Sequence, residues 1–102
     1  MPTRKHSFIW HSANTTKLWV KHDVRPYEVE EAFADAHAVV GPDARHSVVE
    51  DRYIVLGKTR KHRLLYIVFT VRQGRIRPIS ARTANREEVA LYEEEINHSK
   101  VS

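Results

Sequence analysis

Ten Lys and Arg side chains lie between residues 52 and 86, and no Asp or Glu interrupts them. The acids are segregated outside: residues 1–51 hold eight against six Lys/Arg, and residues 87–102 hold five against one. A folded segment of one sign repels itself, and the usual compensation is a polyanion. Within the block, Arg75 and Arg77 share one face of a strand by period-two alternation. Arg82 falls on the opposite face of a regular strand, whereas a bulge at Pro78 brings Arg77 and Arg82 to one side. Arg52 and Arg63 begin the two preceding strands. Guanidinium groups hold phosphates bidentately and stay protonated, so such a set suits gripping an RNA backbone and stabilising charge that develops on phosphorus. Lys21-His22, closing the first helix, adds a cation and a titratable imidazole. The competing reading of each arginine is a solvated strand residue, or an ion pair with Glu87, Glu88 or Glu93–Glu95.

Other chemistries lack their residues. There is no cysteine among the 102 residues, which removes disulfides, thiolate metal sites and thiol nucleophiles and is compatible with a reducing cytoplasm. The seven histidines form no ligand pattern, so no metal and no cofactor is expected; His6, His37, His46 and His98 read as surface or loop residues. Gly57-Lys58-Thr59 looks like the end of a phosphate-binding loop. The glycine required five residues earlier is Arg52, however, and a strand follows instead of a helix. No Gly-x-Ser-x-Gly elbow occurs. The longest apolar stretch, residues 64–71, is far short of the ~20 residues that cross a bilayer, and Phe8-Ile9-Trp10 after Arg4-Lys5 is too short for a signal peptide.

The elements that must hold these residues belong to one domain, residues 1–102, large enough to bury roughly 65% of its unfolded surface. Phe8-Ile9-Trp10 reads as a short edge strand. Ser12 or Asn14 caps a helix reaching Lys21-His22. Pro26 opens a second helix with Glu28 and Glu30-Glu31 at its positive end. Val29, Ala32, Phe33 and Ala36 form its buried stripe, and it ends between Asp35 and His37. Ala38-Val39-Val40 is a short strand before a Gly41-Pro42-Asp43 turn, and a loop follows over 43–49. Three strands then run over 52–56, 63–71 and 75–82, the first stopping at Gly57 and the last two joined by an Arg72-Gln73-Gly74 hairpin turn. Asn85 and Glu88 have capping-box spacing for a last helix that buries Val89, Tyr92 and Ile96. Trp10, Trp19 and Tyr92 have rings that could stack bases; Trp10 and Tyr92 read as core anchors. The whole is α+β: two N-terminal helices, a mainly antiparallel sheet of about four strands, and a C-terminal helix.

The order Trp10, Lys21-His22-Asp23-Val24, Glu28, Ala32-Phe33, Asp35, Asp51-Arg52-Tyr53-Ile54, Gly57, Arg63-Leu64-Leu65, Arg77-Pro78-Ile79-Ser80-Ala81-Arg82, Ala84, Arg86, Glu88, Tyr92-Glu93 resembles the BrnT family. The likeness covers about residues 8–95. It implies a RelE-like fold and a ribonuclease toxin of a type II toxin–antitoxin module. It further implies neutralisation by a BrnA-like ribbon-helix-helix antitoxin, and contact with operator DNA only through that complex. By position it nominates Lys21, His22, Asp51, Arg52, Arg63, Arg77 and Arg82. The chain departs from the family pattern at His11, Asn14, Leu18, Asp23, Asp51, Pro78 and Glu87.

Together these readings give a cytoplasmic, metal-independent endoribonuclease in which the ribose 2′-hydroxyl attacks the adjacent phosphate. His22, Asp51, Arg77 and Arg82 are the catalytic candidates: Arg77 and Arg82 stabilise charge, and Asp51 or His22 serves as acid or base. Lys21, Arg52, Arg63 and Arg75 bind RNA. The alternative is a non-catalytic basic module of the same fold that binds nucleic acid or an antitoxin.

Overall fold

The apolar run of residues 64–71 forms an interior strand of a four-stranded antiparallel sheet in the structure, a computed structural model that describes residues 6–11, 14–15, 22–43 and 51–101. In chain order the elements are α1 (Pro26–Phe33), β1 (Val39–Pro42), β2 (Tyr53–Lys58), β3 (Leu64–Arg72), β4 (Arg75–Thr83) and α2 (Arg86–Val101). The strands lie side by side in sequence order, and every neighbouring pair is antiparallel. The expected α+β sheet is therefore present, but the described residues hold two helices rather than three. Asn14, Thr15 and His22 are helical, and the rest of the expected first helix, with Trp19 and Lys21, lies outside the described residues.

Register divides the sheet into two faces, because directly opposed residues share a face. Leu65, Ile67, Phe69 and Val71 of β3 stand opposite Thr83, Ala81, Pro78 and Ile76 of β4. This face carries α1, whose Val29, Ala32 and Phe33 pack with Val55, Leu65, Ile67, Phe69 and Ala81. Tyr66, Val68, Thr70 and Arg72 face the other way, opposite Arg82, Ser80, Arg77 and Arg75. The α2 helix covers one end of this second face, with Tyr92 packed on Leu56 and Leu64 and with Val89 and Ile96 beside it.

Several local expectations are corrected. The α1 helix ends at Phe33, so Ala36 lies beyond it and is exposed rather than part of the stripe. Gly41 and Pro42 are not a turn: they extend β1 against Ile54 and Tyr53, on an outer strand that tolerates a missing N–H. Gly57 does not end its strand. It lies inside β2, where α1 crosses so closely that a Cβ would stand 2.2 Å from the Ala32 carbonyl oxygen. The turn between β3 and β4 is as read, with positive φ at Gln73 (53°) and Gly74 (75°).

The N-terminal segment runs parallel to β4. Ile9 N–H donates to the Ile76 carbonyl at 2.7 Å, and Ile76 N–H donates to Ser7 at 2.8 Å. Phe8 stacks on Trp10 and meets Phe33 edge-on, so this segment is sewn to the α1 layer as well.

Candidate active surface

The second face, which α2 covers at one end, carries Arg72, Arg75, Arg77 and Arg82 of the cationic block. Its geometry depends on one irregularity. Phe69 pairs with Pro78 but Val68 pairs with Ser80, so Ile79 is an extra residue in β4. A bulge of this kind inverts the alternation beyond it. Arg82, five residues after Arg77, therefore returns to the same face. By strand rise the two are about 13 Å apart along the sheet, a separation that two long guanidinium side chains can close around one phosphate or span between neighbouring ones. Ser80 lies between them on this face.

The arginines are held in different ways. Arg77 is half-buried opposite Thr70 and has no side-chain partner among the described residues. Arg82 Cζ sits over the Tyr66 ring, 4.1 Å from its centroid, and the guanidinium makes two 2.9 Å bonds to Glu88. Arg75 faces the same way but serves as a clasp, with Nη2 on the Phe8 carbonyl at 2.7 Å and Nε on Ser7 Oγ. Arg63 belongs to the opposite layer. Its Nη1 contacts both Glu28 oxygens and the Asp23 carbonyl, its Nη2 the His22 carbonyl, and its Nε Thr83 Oγ1. It therefore joins α1 and the preceding turn to β4. The expected convergence of Arg63 with Arg77 and Arg82 does not occur, because Thr83 is on the α1 face and Arg82 on the other.

The two acid–base candidates are separated as well. His22 is tied through its backbone to Arg63 on the α1 side. Asp51 is exposed just before β2, and its carbonyl accepts the buried Thr70 hydroxyl at 2.8 Å. Thr70 is directly opposite Arg77, so Asp51 and Arg77 flank one residue. Arg52, next in the chain, is half-buried, and its carbonyl accepts the Asp43 amide. Lys21 lies outside the described residues. Among those residues no three His, Asp or Glu side chains are grouped to hold a metal.

Glu88 and Tyr66 complete the surface; sequence reading offered Glu88 as one of several ion-pair partners for the arginines and gave Tyr66 no role. Glu88 was legible as a helix cap, which it is: its Oε1 accepts the Asn85 amide at 2.8 Å while Asn85 Oδ1 accepts the Glu88 amide at 2.9 Å. Tyr66 was hidden in an apolar run, and only cross-strand register puts it under Arg82. Burial pushes the Glu88 carboxyl up, but bonds from Arg82 and the Asn85 amide, with the Arg82 charge, outweigh this and hold it below the usual carboxylate range. The Glu88 bonds in turn keep Arg82 more firmly protonated than a free arginine.

A hollow of about 360 Å3 between the β2–β3 turn and α2 is lined by Lys58, His62, Arg63 and Tyr92 among others, and neither Arg77 nor Arg82 reaches it. No described helix is long and apolar enough to cross a membrane. The sequence profile described as ribonuclease toxin, BrnT, of type II toxin–antitoxin system matches residues 10–88, more than half of the chain. No curated protein matches the chain.

Proposed function

The chain belongs to the BrnT family, ribonuclease toxins of type II toxin–antitoxin systems, and on that premise we propose that it cleaves RNA in the cytoplasm without a metal, on a RelE-like scaffold, until a BrnA-like antitoxin covers it. The ribose 2′-oxygen attacks phosphorus and the P–O5′ bond breaks. A base takes the 2′ proton, an acid returns one to O5′, and the products are a 2′,3′-cyclic phosphate and a 5′-hydroxyl. The observation carrying this reading is the bulge at Ile79, with half-buried Arg77 and Arg82 on one side of β4. Fixed donors aimed at a pentacoordinate phosphorus contribute about 10²-fold or more each, and acid–base help about 10²–10⁴-fold. Of the two acid–base candidates, Asp51 suits the role better than His22, since its backbone lies against Thr70, directly opposite Arg77, whereas the His22 backbone is tied to Arg63 in the α1 layer.

The test uses an RNA oligonucleotide and its analogue with deoxyribose at the cleaved position, each with excess chelator. Cyclic-phosphate ends from the RNA, with binding but no cutting of the analogue, are expected; cutting of the analogue excludes the mechanism. One observation favours a second reading: Glu88 neutralises Arg82, as suits a structural arginine in a non-catalytic basic module. That module would show salt-sensitive RNA binding and no products.

A further inference from the structure

The guanidinium of Arg82 is held on one edge and open on another. A guanidinium has five N–H donors in a rigid plane. Nη1 uses its two on Glu88 Oε1 (2.9 Å) and the Thr83 carbonyl (3.3 Å), and Nη2 uses one on Glu88 Oε2 (2.9 Å). The engaged edge is thus the Nη1/Nη2 end. The Nε–H and the second Nη2–H, which point in parallel along the adjacent edge, have no partner among the described residues. The Arg82 Cζ sits over the Tyr66 ring, within cation–π distance. The Arg82 side chain keeps 38% of its surface exposed against 16% for Glu88, so the carboxylate anchor is the more buried of the two. Glu88 is itself immobilised, because its carboxylate and amide both bond to Asn85 at the start of α2.

We infer that Glu88 is a positioning residue: through the capping box of α2 and the Tyr66 ring, it fixes Arg82 so that the Nε/Nη2 edge meets a phosphodiester as a two-donor fork. The inference rests on the nuclease reading for the reaction it serves, but the fork is a property of this chain's own side chains. Its cost is part of the cation's charge. Its gain is a donor pair that needs no reorganisation when phosphate charge develops. A loose arginine would bind RNA more strongly and turn it over more slowly.

Three variants test this: Glu88→Gln, Arg82→Lys and the double variant. Each is assayed for kcat, RNA dissociation constant and thermal unfolding, with the 15N signal of Arg82 Nε–H followed in the parent and in Glu88→Gln during titration with a 2′-deoxy oligonucleotide. Glu88→Gln should lower kcat at least tenfold per folded molecule while RNA binding stays equal or tightens, and should cost nothing further in the Arg82→Lys background. In the parent, the Nε–H signal should shift and its exchange slow on binding, and in Glu88→Gln it should not. A kcat for Glu88→Gln within twofold of the parent, or an Nε–H in the parent that ignores the oligonucleotide, overturns the inference. A parent whose Nε–H responds but which makes no products defeats the nuclease reading and leaves the positioning role standing.

Discussion

Arg77 and Arg82 face the same way because Ile79 has no partner in β3. In a regular strand, five positions apart means opposite faces, and the two cations would be divided by the sheet. The bulge next to Pro78 unites them, and Arg77 remains the member of the pair without a carboxylate among the described residues.

Replacing Arg77 with Ala should therefore lower RNA cleavage by about 10² or more, as expected for a lost phosphate donor, with an unfolding midpoint close to the parent's. Arg77→Lys should recover binding better than turnover, since Lys supplies a point charge without the fork. Cleavage kinetics beside chemical denaturation separate these effects. A fully active Arg77→Ala would remove this residue from the surface.

Arg63 should behave in the opposite way. It bonds Glu28, Asp23, His22 and Thr83, and the Glu28 carboxylate is only 15% exposed. Arg63→Ala strands that carboxylate and is expected to cost about 2–3 kcal/mol of stability. Activity per folded molecule should fall far less than in Arg77→Ala. Urea titration with activity normalised to the folded fraction checks it.

Gly57→Ala should be among the most damaging single-methyl additions. Its Cβ would meet the Ala32 carbonyl oxygen at 2.2 Å, and neither backbone can yield without moving α1 off β2. We expect a loss of at least about 3 kcal/mol, at or beyond the upper end for overpacking. A thermal midpoint near the parent's would contradict the close approach.

Asp35 and Tyr92 set the pH window. The Tyr92 hydroxyl donates to Asp35 Oδ2 at 2.5 Å, and the amides of Lys58 and His37 donate to the same carboxylate. Burial pushes Asp35 up, but these bonds, led by Tyr92, hold it below its usual 3.8. A depressed folded value contributes stability above the unfolded value and loses it as pH falls through the folded one. Glu88 acts in the same direction from its usual 4.5. Tyr92 is raised above its usual 10, first by burial and then by Asp35, so its contribution is present below 10 and lost as pH rises through the folded value. The unfolding midpoint should be flat from about pH 5 to 9 and fall on both sides. Tyr92→Phe should lower the midpoint across the plateau, by the equivalent of about 1–3 kcal/mol of stability, and remove the Tyr92 share of the alkaline fall. Midpoints measured from pH 3 to 11 decide it.

An apolar run made β3 legible, i, i+3, i+4 spacing the Val29, Ala32 and Phe33 stripe of α1, and Asn85 with Glu88 the capping box of α2, because each is a local pattern that burial or a terminal N–H enforces within a few residues. The segregation of acids from the block 52–86 was equally plain and pointed to a polyanion before any contact was known. Pairing was not legible. Nothing in the chain's order says that Glu88 rather than Glu87 takes Arg82, that Tyr66 lies beneath it, or that Glu28 draws Arg63 to the far layer. A charged side chain's partner is fixed by register and helix docking, which follow from hydrophobic packing of the whole sheet, so the sequence by itself determined the supply of cations and tertiary structure alone decided which are spent on holding the fold and which face outward.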